Sequence, residues 1–276
     1  VIFLILVTVI CVYPFWNIFI VSINDATDAL RGGLYFLPRK LSFASYADIL
    51  SRSTFLHGIW VTLLRTVIGT PLAVLVTTML AYVLSREELL WKKPLNLIFV
   101  FTMYFGGGMV PYYMVLKNLG MLNHFIVFIF PNLVSVYNMI LVKNYIEGMP
   151  KEIFESSKID GANDLTVFFR MVLPLSKPII MTIALFVAVM HWNSWFDAYL
   201  YTNSQSLKTM QSILVEILNQ YQTSLANQAA NQNAQQLTPD SIRMAATMIA
   251  TIPIIMVYPF IQKYFVKGIM LGSVKS

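Results

Sequence analysis

Two charged residues stand where charge is costly. Arg65 and Asp197 are the one basic and the one acidic residue within the long apolar runs of this 276-residue chain, which holds 19 Lys and Arg and 13 Asp and Glu. A charge in such surroundings faces a cavity or a partner far more often than lipid. Around Asp197 the residue types suit recognition of sugar rings. At helical spacing Trp192, Trp195 and Tyr199 fall on one face, Asn193 and Asp197 on another, and His191 and Trp195 are i, i+4. Aromatic platforms stack on the C–H faces of a sugar, while neighbouring amides and carboxylates bond its hydroxyls. An aromatic belt at a membrane interface accounts for the same tryptophans. Arg65 and Asp197 are predicted at similar depth, as a pair or as shared lining of an outer vestibule. The alternative for Arg65 is snorkelling to the interface.

Other chemistries lack their residues. His57, His124 and His191 show no H-E-x-x-H spacing, and no two carboxylates pair within the apolar runs as an aspartyl protease needs. Cys11, the single cysteine, rules out an internal disulfide and a cysteine-based metal site. The chain has no G-x-x-x-x-G-K-[ST], and Gly106–Gly108 without a preceding strand is no phosphate loop.

The elements that must position these residues are membrane helices. The chain is 57% hydrophobic and 12% charged, with 14% aromatics and a mean hydropathy of +0.67. A water-soluble domain carries about 25% charge. Spanning a hydrocarbon core of about 30 Å takes roughly 20 apolar residues in helical form. Six segments qualify: Val1–Ile23, Thr62–Leu84, Leu95–Leu116, Phe125–Val142, Ile179–Leu200 and Met244–Ile261. The first begins without Met or a basic leader, as in a chain whose start is missing; a cleaved signal peptide is the alternative, although the run is long for one. Pro131, Pro253 and Pro259 blur the ends of the fourth and sixth. Gly106–Gly108 and Pro111 interrupt the third, as a gate or a tight packing point.

Orientation follows the basic residues. Eleven of the 19 fall in segments 85–94, 143–178 and 262–276, and seven in the longer set 24–60, 117–124 and 201–243. The first set is therefore predicted cytoplasmic, with both termini inside. The expected fold is all-α and polytopic: one membrane domain, 1–276, with six transmembrane helices. The net charge of +6 records this orientation and is no nucleic-acid patch.

Segment 143–178 is predicted to form a helix–turn–helix between spans four and five. Pro150 opens a first helix that runs to about Ile159 and stops at Gly161. Asn163 or Asp164 caps a second helix, which ends before Pro174. Ile153 and Phe154 in the first helix, and Leu165, Phe168, Phe169 and Val172 in the second, make apolar faces. A cytoplasmic partner protein is one recipient for them; the undersides of the chain's own spans are the other.

The string Glu155-Ser156-Ser157, three residues, Gly161, nine residues, then Met171-x-Leu173-Pro174 resembles the EAA motif of ABC importer permeases, with serines for both alanines and Met171 for the usual isoleucine. Similarity to the maltose-type carbohydrate permeases, in the branch that handles pectin or alginate fragments, extends through Phe105–Phe125, Ala184–Tyr201 and Tyr258–Lys275. The resemblance implies a half-channel in a bacterial cytoplasmic membrane. It implies pairing with a second permease subunit, two ATP-binding subunits that carry ATP and Mg, and an extracellular solute-binding protein that delivers oligosaccharide. By the same resemblance Glu155 meets a basic residue of the ATPase, Ser156 and Ser157 fit its cleft, Gly161 makes the sharp turn and Asp160 caps it. This chain would carry no cofactor and no catalytic site. An ion-coupled secondary transporter is the competing class, and it would call for more buried ionisable groups and an internal repeat.

On the outer side, segment 201–243 is expected to hold an amphipathic helix with Met210, Ile213, Leu214, Ile217, Leu218 and Tyr221 on one face. That helix would dock the solute-binding protein, line the entrance or rest on the bilayer. A Gln/Asn-rich linker, Gln222–Gln236, and the cap Thr238-Pro239-Asp240 follow. Phe43, Tyr46, Ile49 and Leu50 suggest another short interfacial helix.

Overall fold

A computed structural model describes residues 1–29, 31–159, 161–219 and 240–273. In chain order its α-helices are α1 (Ile2–Ser22), α2 (Ala26–Ala29), α3 (Ala44–Ser51), α4 (Ser53–Ser85), α5 (Lys92–Tyr104), α6 (Met109–Asn118) and α7 (Val136–Glu147). There follow α8 (Lys151–Ile159), α9 (Asp164–Val167), α10 (Leu173–Leu175), α11 (Lys177–Asn193), α12 (Phe196–Tyr201), α13 (210–219) and α14 (Asp240–Ser273). Among the described residues there is no strand, only the isolated antiparallel bridge Asn24–Leu41.

Among the described residues two unbroken helices, α1 and α4, are long and apolar enough to cross a bilayer, and up to five spans result if each bent pair counts as one. The expected third span is such a pair. Its halves α5 and α6 turn by 114° at Phe105–Gly108, so Leu95–Leu116 is not a single rod. Thirteen residues of α5 rise about 20 Å, too little to cross alone. The fourth span is also broken. Two 3-10 turns around Pro131 meet α7 at 43°. The Leu133 carbonyl at this break accepts a bond from the Thr77 hydroxyl at 3.0 Å. Irregular backbone at membrane depth needs such a partner.

The expected fifth span, Ile179–Leu200, is not one helix. α11 ends at Asn193, and α12 restarts at Phe196 after Ser194 and Trp195. Upstream, a bend of 82° separates Asp164–Leu175 from α11. Met244–Ile261 lies within α14, whose prolines do not end it.

By packing, the chain divides into two units, residues 1–62 with 194–256 and residues 63–193 with 257–276. The core of the second unit joins α4 (Val74, Ala81, Leu84), α7 (Met139, Val142, Ile146), the 167–172 segment and α11 (Ile179, Ile183). In the first unit, α13 does not rest on the bilayer. Met210, Ile213, Leu214 and Ile217 are buried, and the helix packs against α4 at Gly58. A methyl group at Gly58 would stand 2.5 Å from the Ile213 Cδ1 and 3.2 Å from the Met210 nitrogen. The Thr62 hydroxyl accepts the Met210 N–H at 2.9 Å, which satisfies an orphan donor at the start of α13. Tyr221, the Gln222–Gln236 linker and Thr238-Pro239 lie outside the described residues. The expected interfacial helix near Phe43 is α3.

Glycine at position 58 is thus a condition of the α4–α13 approach. Gly58→Val should overpack it and lower stability by about 1–3 kcal/mol, read as a lower thermal midpoint in detergent. An unchanged midpoint would contradict this packing.

Candidate functional site: the cleft around α8

α8 begins after Pro150 and ends at a turn that glycine makes possible. Gly161 has φ +72°, a left-handed conformation that disfavours other residues, although nothing lies within 4 Å of where its side chain would be. The Gly161 N–H bonds the Lys158 carbonyl and the Ala162 N–H bonds the Ser157 carbonyl, each at 3.0 Å. This pair of bonds satisfies the last carbonyls of α8 in a Schellman arrangement. Asp160 lies outside the described residues. Asn163 then caps α9, its side-chain oxygen accepting the Thr166 N–H at 2.8 Å.

The second helix does not stop before Pro174. A π-helical stretch, Phe168–Val172, runs without interruption into α10, which contains Pro174. The apolar faces of this region divide. Phe168 and Val172 are buried in the core of their unit, and Phe154 packs against it, whereas Leu165, Phe169 and Ile159 are exposed.

Within α8, Ser157 is 1% exposed and its hydroxyl back-bonds to the Phe154 carbonyl. Glu155 and Ser156 are exposed on the helix. The motif residues are therefore placed differently: Ser157 is buried under the helix, and Glu155 and Ser156 are exposed on it.

A cleft of about 310 Å³ lies between α8, the end of α7 and the segment 85–92. Arg86 is its hub. The guanidinium stacks over Tyr82 of α4 at 5.6 Å and over Phe154 of α8 at 5.7 Å. It also meets Glu88 at 3.3 Å and Asp164 of α9 at 3.5 Å. The Tyr82 hydroxyl donates to the same Asp164 carboxylate at 3.3 Å. Lys151 bonds Glu87 at 2.6 Å, Lys158 bonds Glu88, and Lys92 reaches Glu147 of α7 at 2.9 Å. α8 is thus tied to the loop leaving α4 at both its ends and stacked on Arg86 in its middle.

Hydrogen bonds from Lys151 and Lys158 hold the Glu87 and Glu88 carboxyls below the usual carboxylate range, and Glu87 in turn raises Lys151. Both carboxylates are ionised at neutral pH. With folded pKa values depressed, their contribution to stability is present above the unfolded carboxylate range and is lost as pH falls through the folded value. These pairs are solvent-facing, so salt weakens them.

Sequence reasoning counted Arg86 only as a loop charge and passed over Glu87 and Glu88. One local signal was present: Tyr82 and Arg86 are i, i+4, the spacing of an aromatic–cation pair on one helix face.

The pathway residues fare differently. Arg65 is 0% exposed, with its guanidinium over the Phe128 ring at 4.7 Å, so it does not snorkel. Phe128 supplies a ring face that a buried cation prefers to hydrocarbon edges. His191 is also fully buried, beside Gly69, one turn along α4 from Arg65. Trp192 and Asn193 end α11, but the break at Ser194–Trp195 removes the continuous helix that put Trp192, Trp195 and Tyr199 on one face. Trp195, Phe196 and Tyr199 do form a cluster, with Trp195–Phe196 centroids at 5.5 Å and Trp195–Tyr199 at 6.1 Å. The Asp197 carboxylate accepts the Ala198 N–H at 2.9 Å at the start of α12.

Broken apolar helices around a buried cation fit a polytopic membrane protein. Residues 40–271 match the family described as binding-protein-dependent transport system inner membrane component. The polygalacturonan/rhamnogalacturonan transport system permease protein YtcP of Bacillus subtilis (strain 168) is 38% identical over 99% of this chain and 96% of its own length. Protein LplC of the same organism is 37% identical, covering 97% of this chain and 90% of that one. Among solved structures, a chain of a bacterial ABC transporter involved in the import of the acidic polysaccharide alginate aligns with a TM-score of 0.86 at 27% identity, covering 96% of this chain and 94% of that chain. The chain belongs to the binding-protein-dependent inner-membrane permease family, as an ABC-importer permease subunit. That membership displaces the ion-coupled secondary transporter.

Site-resolved carboxyl titration should place Glu87 and Glu88 below the glutamates of the unfolded chain. Lys151→Met should return Glu87 to the ordinary range and leave Glu88 where it was. Ordinary midpoints for both in the unmodified chain would contradict the ion-pair geometry.

Proposed function

We propose that this permease subunit moves an oligosaccharide inward, of the pectin or alginate type, by alternating access driven from α8. The observation that carries this reading is the exposed Glu155–Ser156 ridge ending at the left-handed Gly161 turn, in a helix fastened to α4 through Arg86. Each of two ATP-binding subunits would take one such helix into a surface cleft, one from this chain and one from a second permease subunit. ATP and Mg reside on those subunits. When their dimer closes, α8 moves with it, and rigid-body motion carries the change to the pathway.

The cargo class is supported by the relatives named above and by the Trp195–Phe196–Tyr199 cluster, whose faces suit sugar rings. Trp192, Asn193 and Asp197 supply stacking and hydrogen bonds beside it. Arg65, buried and cationic, suits an acidic sugar or the Asp197 carboxylate as counter-charge. An extracellular solute-binding protein would deliver the sugar to the outer side. In this reading segments 24–60 and 201–243 face outward and both termini are cytoplasmic, in a bacterial plasma membrane.

Docking is tested by pull-down of the ATP-binding subunits with this chain from detergent. Glu155→Arg should weaken the complex by roughly 10-fold or more, about 1.4 kcal/mol, without changing the fold of an exposed site. Gly161→Pro should abolish it, because proline cannot take φ +72°. Unaltered recovery of ATPase with Glu155→Arg would refute the docking ridge. For the pathway, Asp197→Asn and Arg65→Gln should each reduce sugar uptake by reconstituted importer. Unchanged uptake in both would remove them from it.

A further inference from the structure

The largest side chain that is fully buried among the described residues is a cation. Arg65 is 0% exposed on α4, and at successive steps of four along the helix the buried residues are small: Gly69, Ala73, Thr77 and Ala81. Those positions let neighbours come close. A Cβ added at Gly69 would stand 2.6 Å from Nε2 of His191 on α11, and Thr77 bonds the Leu133 carbonyl at 3.0 Å. Arg65 is a long charged side chain in a row of small ones.

Such a group must be placed by protein. A guanidinium on a chain of rotatable bonds has many positions open to it, and ordering it costs side-chain entropy. Water does not hold it, because the residue is closed off from solvent. The Phe128 ring does face it, with its centroid 4.7 Å from the guanidinium carbon, inside the range of a cation–π contact. Phe128 is itself 0% exposed, so the contact is complete within this chain and depends on no open surface.

The ring sits on a firm support. It closes a 3-10 turn, Phe125–Phe128, which is followed by a second turn, Phe130–Asn132. The Asn132 amide donates to the Phe128 carbonyl at 3.1 Å, and the Ile129 N–H bonds the Ile126 carbonyl at 3.0 Å. The Phe125 and Phe128 rings meet edge-on, with centroids at 5.8 Å and planes at 88°. The Thr77–Leu133 bond fastens the far end of the same segment to α4. The break in this segment therefore presents a fixed aromatic face to Arg65.

An aromatic face attracts a cation and carries no net charge of its own. It fixes the guanidinium without neutralising it, as a carboxylate in its place would. A leucine there would fill volume and exert no such pull.

We propose that Phe128 is a positioning residue for transport: its ring holds the Arg65 guanidinium on the sugar pathway, and the ring–cation attraction, not the bulk of the ring, is what uptake requires. The place of Arg65 on that pathway is the one given under Proposed function, and the role of Phe128 rests on it.

The test uses the complete importer with its binding protein, reconstituted in liposomes loaded with ATP. Uptake of a galacturonate trisaccharide is measured per recovered complex. Phenylalanines carrying one, two and three ring fluorines are introduced at position 128, where fluorine drains charge from the ring face and barely changes its shape. Uptake should fall with each fluorine, by about tenfold across the series, and Phe128→Leu should fall at least as far. In an Arg65→Gln background the series should be flat. Equal uptake at every fluorine count in the unmodified background would overturn the proposal. A loss as large with one fluorine as with three would read packing and overturn it equally. So would a series still graded in the Arg65→Gln background, because the ring would then act on something other than this cation. If Arg65→Gln alone leaves uptake unchanged, or the unmodified importer takes up none of this sugar, the pathway reading fails and the proposal with it. A flat series beside a defective Arg65→Gln variant refutes only the role of Phe128.

Discussion

Arg86 is held on two aromatic faces and two carboxylates at once, and the end of the second unit that carries α8 is organised around that contact. Tyr82 comes from α4, Phe154 from α8, Glu88 from the intervening loop and Asp164 from α9. A guanidinium is suited to the place because it stacks and forks at the same time, which a lysine cannot do. Without it, α8 would keep only the core packing of Phe154, its buried Ser157 and solvent-facing ion pairs that are individually worth little. With it, the helix that bears the EAA-type motif and the long helix that crosses the membrane share one partly buried anchor.

The same physical constraint runs through the spans. A break in an apolar helix exposes backbone groups that lipid cannot satisfy, and the break at Leu133 has a visible remedy. Thr77 answers for that carbonyl. Arg65 shows the equivalent logic for a side chain: fully buried, it sets its guanidinium over the Phe128 ring in the interior of its unit. The α4–α13 contact uses a complementary device, a glycine at position 58 that lets a helix approach where any side chain would hold it away.

Much of this is legible in the sequence where a rule is local. Apolar runs mark α1 and the membrane part of α4, Asn163 announces its cap, and Gly161 announces the end of α8. The amphipathic period of 210–217 is equally plain, although it could not say that α4 rather than lipid receives the apolar face. Legibility fails where the deciding contact is distant. Nothing near Leu95–Leu116 states that the halves turn by 114°, and helical phase misled the reading of Trp192–Tyr199 because the break at Ser194 carries no proline or glycine. Arg86 is invisible for the same reason: two of its partners, Phe154 and Asp164, lie far along the chain. The motif draws attention to α8, but it does not say what holds that helix to its own subunit.

The central claim is that α4, the 86–92 loop and the segment from α8 to α9 move as one body around Arg86. A distance measurement between spin labels at Leu90→Cys and Leu165→Cys, in a Cys11→Ser background of the assembled importer, tests it most directly. Both sites are exposed and neither touches Arg86. The account predicts the same distance distribution with and without trapped ATP, and a changed distribution on ATP binding once Arg86 is replaced by glutamine. A shift between the two nucleotide states in the unmodified hub would contradict it.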